Sequence, residues 1–179
     1  ETPRDKWLFD FCAQLSVTTT QVWWSSNVLA AFDRLEQGHE HAIKDYLATC
    51  VANLDALNAT IQRADLARGD RVKMITLITF EVHSRDVVQA LVDAQVESSA
   101  AFGWQSQLKF KWDEAKTECT ASIADALLAY NYEYIGNPGR LVITPLTDRC
   151  YMTLAQALQL QLGGAPSGPA GTGKTETVK

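Results

Sequence analysis

Apolar residues recur at intervals of three and four along the first two-thirds of the chain. The clearest run is HEHAIKDYLATCVANLDALNATIQRADLAR, where Ile43, Leu47, Cys50, Leu54, Leu57 and Ile61 fall on one stripe. That spacing predicts an amphipathic helix with its stripe against a core. Before it, QVWWSSNVLAAFDRLEQ reads as a helix that Gly38 stops, with Thr18 and Gln21 at capping-box spacing marking its start. Trp23 and Trp24 sit side by side in it. Neighbours on a helix point about 100° apart, so one is expected in the core and the other at a partly covered surface. Gly69 interrupts the pattern. From Asp70 to about Val96 the apolar positions are Val72, Ile75, Ile78, Val82, Val88, Leu91 and Val92. The middle of that stretch, MITLITFEV, is β-branched enough for a strand, but its length without turn residues favours a helix.

The texture changes near Phe102. In WQSQLKFKW the residues Trp104, Leu108, Phe110 and Trp112 share a parity, which predicts a strand. CTASIADALLAYNYEYI mixes signals: Ala and Leu suggest helix, whereas Tyr130, Tyr132 and Tyr134 at period two suggest strand, and the second half is expected to be the extended part. GNPGR is a turn by composition. Pro145 breaks the extended LVIT run, Thr147 is an N-cap candidate with a Leu146–Tyr151 staple, and a helix is expected to run to about Leu162 and end at Gly163 and Gly164. The predicted fold is mainly α with a small β component, followed by the beginning of a P-loop module.

Composition narrows the function. The chain has 179 residues, an ordinary hydrophobic fraction of 46% and a net charge of −5, so a core can be buried and a nucleic-acid-binding face is not expected. The two lysines of LKFKW are too few to change that. No apolar run is long enough to span a bilayer, and ETPRDKW lacks a signal-peptide core. Cys12, Cys50, Cys119 and Cys150 lie far apart without CxxC spacing, which predicts free thiols and no zinc site. His39 and His41 sit two apart, on different faces of any helix, and read as exposed first-turn residues; His83 reads as a polar helix position.

The chemistry lies at the end, in GPAGTGKT from Gly168 to Thr175. A triphosphate is held by backbone N–H groups converging on one point and by the positive end of a helix. Convergence needs backbone angles that a Cβ resists, hence Gly168, Gly171 and Gly173. Lys174 is placed to reach the β- and γ-phosphates, and the Thr175 hydroxyl to sit on magnesium, with TETVK as the first turn of the following helix. Gly168, Pro169, Ala170, Gly171, Thr172, Gly173, Lys174, Thr175 and Glu176 are therefore the candidate phosphate contacts, with ATP or ADP and Mg2+ as the implied ligands. Average residue usage puts a chance match in a chain this long below about one per cent. Phosphoryl transfer also needs an acidic strand for magnesium and a group to orient water, and no apolar run ending in Asp-Glu precedes the loop. The sequence therefore reads as a piece that binds phosphates but lacks the parts for hydrolysis. Two other readings stay open: a small helical adaptor whose loop is fortuitous, and a truncated, unrelated P-loop protein.

The last forty residues, GRLVITPLTDRCYMTLAQALQLQLGGAPSGPAGTGKTETVK, closely resemble the opening of the first AAA+ module of dynein heavy chains. WQSQLKFKW and YNYEYIGNPGR resemble the end of the dynein linker and its junction with the ring, and QVWWSSNV, AFDRLEQG and HSRDVVQALV resemble linker segments of the axonemal type. The resemblance implies that residues 1–130 are the C-terminal part of a helical linker, with strands near 104–130, and that residues 131–179 begin the main ATPase module. It implies that LVITPL packs on adenine through Leu141, Val142, Ile143, Pro145 and Leu146. It further implies a microtubule motor ATPase of the cytoskeleton, in the axoneme of a cilium or flagellum. The implied partners are the rest of the heavy chain, intermediate and light chains, and microtubules, with no nucleic acid and no membrane.

Overall fold

The computed structural model describes residues 4–137 and 143–178. Helix α1 (Arg4–Asp10) leads into α2 (Ala13–Glu36), α3 (Ala42–Ile61) and α4 (Arg68–Asp93). Helix α2 starts five residues before Thr18. Its N-cap is Cys12, which has the extended angles a cap requires (φ −65°, ψ 157°). Thr18 is a helix-interior residue whose hydroxyl donates to Gln14 O at 3.0 Å, and Gln21 is buried, so the capping-box reading of that pair is corrected. The stop at Gly38 holds. Gly38 adopts φ 95°, and the N–H groups of Gly38 and His39 reach back to Leu35 O and Arg34 O, a Schellman closure that needs the left-handed angle.

The α3 stripe faces inward as its spacing requires: Ile43, Cys50, Leu54 and Leu57 are buried, and Leu47 and Ile61 pack at the core's margin. Burial pushes the Cys50 thiol up to about 11. The MITLITFEV stretch is helical, and Gly69 lies in the first turn of α4 rather than at a break. The buried face of α4, however, is Lys73, Met74, Thr76, Leu77, Glu81, Ser84, Val87, Val88 and Leu91. Val72, Ile75 and Val82, counted as apolar stripe in the sequence, are exposed. The polar members of the buried face have specific work. Lys73 donates to Leu8 O (3.0 Å) and Phe11 O (2.7 Å) and so holds the C-terminal end of α1. Glu81 pairs with Arg4 of α1.

Two apolar clusters result. One joins Trp24, Val28, Phe32, Ile43, Cys50, Val88, Leu91 and Trp104; the other joins Trp7, Leu8, Val17, Leu57, Met74 and Leu77. Trp24 is buried and Trp23 half-exposed, its ring 5.2 Å edge-on from Trp7. Trp104 is fully buried, but on the one-turn helix α5 (Phe102–Gln105), not on a strand.

The strands are β1 (Lys109–Asp113), β2 (Glu118–Ile123) and β3 (Ala126–Ala129), an antiparallel meander in sequence order. Leu108 precedes β1, so only Phe110 and Trp112 of the alternating set lie on a strand. In CTASIADALLAYNYEYI the strands occupy the first part. ALLA is extended because it pairs with β2, Leu128 opposite Ala121, and pairing overrides its helix propensity. Ladder-like pairing reaches Tyr130, whose N–H donates to Cys119 O. The left-handed Tyr132 (φ 56°) ends it, and 131–137 has no regular structure. Both sheet edges meet helices. The Phe110 N–H donates to Ser25 Oγ of α2 at 3.0 Å.

Helix α6 (Pro145–Gln159) is capped by Thr144, not Thr147. Thr144 Oγ1 accepts from the Thr147 N–H, and Thr147 Oγ1 accepts from the Thr144 N–H at 2.8 Å. Pro145 opens the helix at its first position, where its missing N–H costs nothing. Leu146 is then a second-position residue exposed to solvent, so the expected staple is absent. The helix ends at Gln159, four residues before Gly163, with Gln161 left-handed (φ 57°) and Leu162 N–H closing on Ala157 O. On the other side of the sheet from α2, Gln159 Oε1 of α6 accepts from the Leu127 N–H of β3 at 3.3 Å. A last helix, α7, spans Lys174–Val178. Among the described residues no helix is long and apolar enough to cross a membrane.

Candidate phosphate-binding site

The chain doubles back after α6. A Cβ on Gly164 would meet Leu154 Cδ2 at 2.3 Å, so residue 164 lies against a side chain of the helix the chain has just left, and a larger residue there would displace the tip of Leu154. Beyond it, residues 168–173 form an exposed loop ending in α7. Gly171 and Gly173 hold φ 75° and 80°, the left-handed angles expected of the motif. Thr172 Oγ1 donates to Pro169 O at 2.9 Å and pins the loop across its mouth.

Lys174 stands at the first position of α7, half-buried while its neighbours are exposed. Its ammonium donates to Gly168 O (2.8 Å) and Pro169 O (2.5 Å) and lies 3.4 Å from Thr172 Oγ1. The side chain thus folds back into the hollow of its own loop. A Cβ on Gly168 would point into the same hollow, 3.5 Å from Thr172 Oγ1 and 3.8 Å from Lys174 Cδ. A Cβ there would make only ordinary contact, so the space beside Gly168 is shared with the Lys174 side chain rather than closed to it, and it already holds a cationic group. An oxyanion entering it would take over that ammonium from two carbonyl oxygens. Thr175 and Glu176 occupy the first turn of α7 and are exposed, as is Ala170. The Thr175 hydroxyl is open to a cation shared with a phosphate.

Of the five adenine candidates, Leu141 and Val142 lie outside the described residues. Ile143 is half-buried just before the Thr144 cap, and Pro145 and Leu146 are exposed at the start of α6. Ile143 precedes α6, Pro145 and Leu146 open it, and the loop follows it.

Asp148, in the first turn of α6, lies near enough to His83 of α4 for the charge of each to act on the other. Burial lowers the His83 pKa, against the pull of Asp148 and Asp86, and burial raises that of Asp148, against the pull of His83. Sequence reasoning passed over this pair, as it did Lys73, Arg4 and Glu81. Lys73 and Glu81 did leave a signal: both fall on the three-four stripe that runs through Leu77, Ser84, Val88 and Leu91. A polar residue on an apolar stripe marks a buried polar contact.

The glycine geometry, the lysine in the loop and the helix that follows define a P-loop nucleotide-binding region. A family model described as "Hydrolytic ATP binding site of dynein motor region" matches residues 130–179, the part that contains it. Across all 179 residues the chain is 55% identical to dynein axonemal heavy chain 17 of Homo sapiens and 51% identical to a ciliary dynein beta chain of Heliocidaris crassispina. It is 50% identical over the same span to the flagellar outer arm dynein beta chain of Chlamydomonas reinhardtii. Along its whole length the chain is similar to axonemal dynein heavy chains, and it spans 4% of the length of each of these relatives.

Proposed function

We propose that this chain carries the phosphate-binding half of the main ATP site of an axonemal dynein heavy chain and joins that site to the motor's helical linker. Residues 1–130 are the linker part, and residues 131–179 begin the first AAA+ module. The whole protein is a microtubule motor ATPase of the ciliary or flagellar axoneme, working with intermediate and light chains. The observation that carries this reading is the seat of Lys174: a lysine ammonium held against the carbonyls of an exposed glycine loop at the start of a helix.

In the site, the backbone of Gly168–Gly173 wraps the phosphates, Lys174 neutralises their charge and Glu176 borders them in the first turn of α7. Thr175 ligates magnesium, which when bound offsets further phosphate charge. Ile143, Pro145 and Leu146, with Leu141 and Val142, cover the adenine, a role suited to apolar groups stiffened by proline. The route from the loop to the linker runs along α6, through the Gln159–Leu127 contact into β3, across the sheet, and through Phe110–Ser25 into α2. The chain alone lacks half of the cradle and is expected to bind ATP poorly and hydrolyse none.

The test is Lys174→Ala in the intact heavy chain. A charge-assisted hydrogen bond contributes about 1.5–3 kcal/mol, so ATP affinity should fall about 10- to 100-fold. Unchanged affinity would mean that Lys174 does not face the phosphates.

A further inference from the structure

Residues 131–137 connect the sheet to the phosphate-loop module and form neither helix nor strand. Backbone in that state normally wanders unless side chains replace the missing ladder. One side chain does so here. Gln14, in the first turn of α2, donates from Nε2 to Tyr130 Oη (3.0 Å) and to Glu133 O (2.7 Å). Its Oε1 accepts from the N–H groups of Ile135 (2.8 Å) and Gly136 (3.2 Å). A carboxamide has two donors and an oxygen with two lone pairs, and all four are used. The orientation is fixed by chemistry: turning the amide over would set its NH2 against two N–H groups. The connector therefore has an artificial strand partner, supplied by one residue more than a hundred positions away in sequence.

The flanking ties agree. Tyr130 Oη also lies 3.2 Å from Thr18 Oγ1 of α2, and the Thr76 hydroxyl of α4 donates to Asn137 Oδ1 at 3.1 Å. Tyr132 Oη accepts from the Cys119 N–H at 2.9 Å. Gln14 is distinguished from these by gripping the connector's backbone on both sides of Tyr134, at Glu133 and at Ile135 and Gly136. Gly136 has φ 81°, so the grip includes a left-handed residue of the connector.

We propose that Gln14 is a positioning residue that clamps the connector to α2 and sets the direction in which motion passes between the phosphate-loop module and the helical layer. This rests on the linker reading above. Among the described residues Gln14 bonds to Tyr130, Glu133, Ile135 and Gly136 and to none of the nucleotide-binding candidates, so it acts on transmission and leaves ATP affinity alone.

Two measurements on the intact heavy chain test it, with Gln14→Leu and Gln14→Glu. Hydrogen exchange of the 131–137 peptide should rise by about tenfold or more in Gln14→Leu, with α3 and α4 peptides unchanged. It should rise less in Gln14→Glu, which keeps an acceptor for Ile135 and Gly136 but sets a carboxylate against Glu133 O. The second measurement is the distance between a fluorophore on the surface of α2 and one on the module after α7, with and without a non-hydrolysable ATP analogue. The wild type should change distance on binding, and Gln14→Leu should lose most of that change at unaltered nucleotide affinity. Equal exchange in wild type and Gln14→Leu overturns the clamp. A full distance change in Gln14→Leu overturns its part in transmission. A wild type that shows no change overturns the linker reading instead, and the clamp then stands or falls on the exchange result alone.

Discussion

Removing Arg4 should destabilise the helical layer out of proportion to its place on a short terminal helix. Its guanidinium pairs with Glu81 and reaches Thr20 Oγ1 at 3.3 Å. Glu81 lies in the middle of α4 with only 5% of its surface exposed. Arg4→Met strands that carboxylate among α1, α2 and α4. Breaking one side of a buried ion pair costs about 3–5 kcal/mol. The Arg4 side chain is one-quarter exposed (25%), and α1 can shift to admit water, so the lower end applies, about 3 kcal/mol. For a chain of this size each kcal/mol moves Tm by about 2–4 °C, giving a drop of about 6–12 °C. The assay is thermal and urea unfolding followed by tryptophan fluorescence, since Trp7 lies on α1 itself and Trp24 and Trp104 lie in the core. The double variant Arg4→Met/Glu81→Leu separates a stranded charge from lost packing. With both charges gone it should recover most of the loss, an interaction energy of about 2 kcal/mol. A single variant within 1 kcal/mol of wild type, or a double variant no more stable than the single, would refute the argument.

Two more predictions concern stability. Burial holds His83 below its ordinary pKa of 6.5, so the unfolded chain takes up more protons than the folded one as pH falls through 6.5, and stability falls with it. His83→Gln should flatten that part of the pH profile, and equal slopes between pH 7 and pH 5.5 would sink the idea. Gln95 closes α4 in a left-handed conformation (φ 50°) with Val96 N–H bonded to Leu91 O, a position suited to glycine. Gln95→Gly should therefore gain about 1 kcal/mol and raise Tm by about 2–4 °C; a lower Tm would count against the cap assignment.

Features set by a few neighbouring residues were legible in the sequence. Gly38 needs only its own φ to end α2, and the phosphate loop needs only its glycines, Lys174 and the helix after it. The α3 stripe was legible because its apolar positions face the interior along the whole helix, Ile43, Leu47 and Cys50 in one cluster and Leu57 and Ile61 in the other. On α4 the same count found the helix but misjudged its face, because Lys73 and Glu81 are buried to serve α1, an element whose position no local pattern announces. Strand assignment failed in the same way. Trp104 shares parity with Phe110, yet it is drawn into the core on a turn of helix, while ALLA is extended because β2 lies beside it. The Gln14 clamp was invisible for the extreme form of this reason, since its partners lie 116–122 positions away and a glutamine in a first helical turn is unremarkable in sequence.

Helix α6 shows where such reasoning meets a different limit. Thr147 and the Gly163–Gly164 pair marked a helix here, and a helix forms with Thr144 as its cap and Pro145 at its first position, yet none of its residues is buried, against five in α3. Leu146, Leu158, Leu160 and Leu162 stand exposed in or beside it. An isolated helix of this length is marginal in water, so α6 draws its stability from its cap, from the sheet and from whatever covers those leucines. In the proposed function that cover is the remainder of the AAA+ module, packed where the loop and α7 lead. The phosphate loop would then be held rigid only when the module is complete. This gives a physical reason, independent of missing catalytic groups, for the chain alone to bind nucleotide weakly: Lys174 is already paired with its own carbonyls, and nothing yet holds the loop open against that pairing.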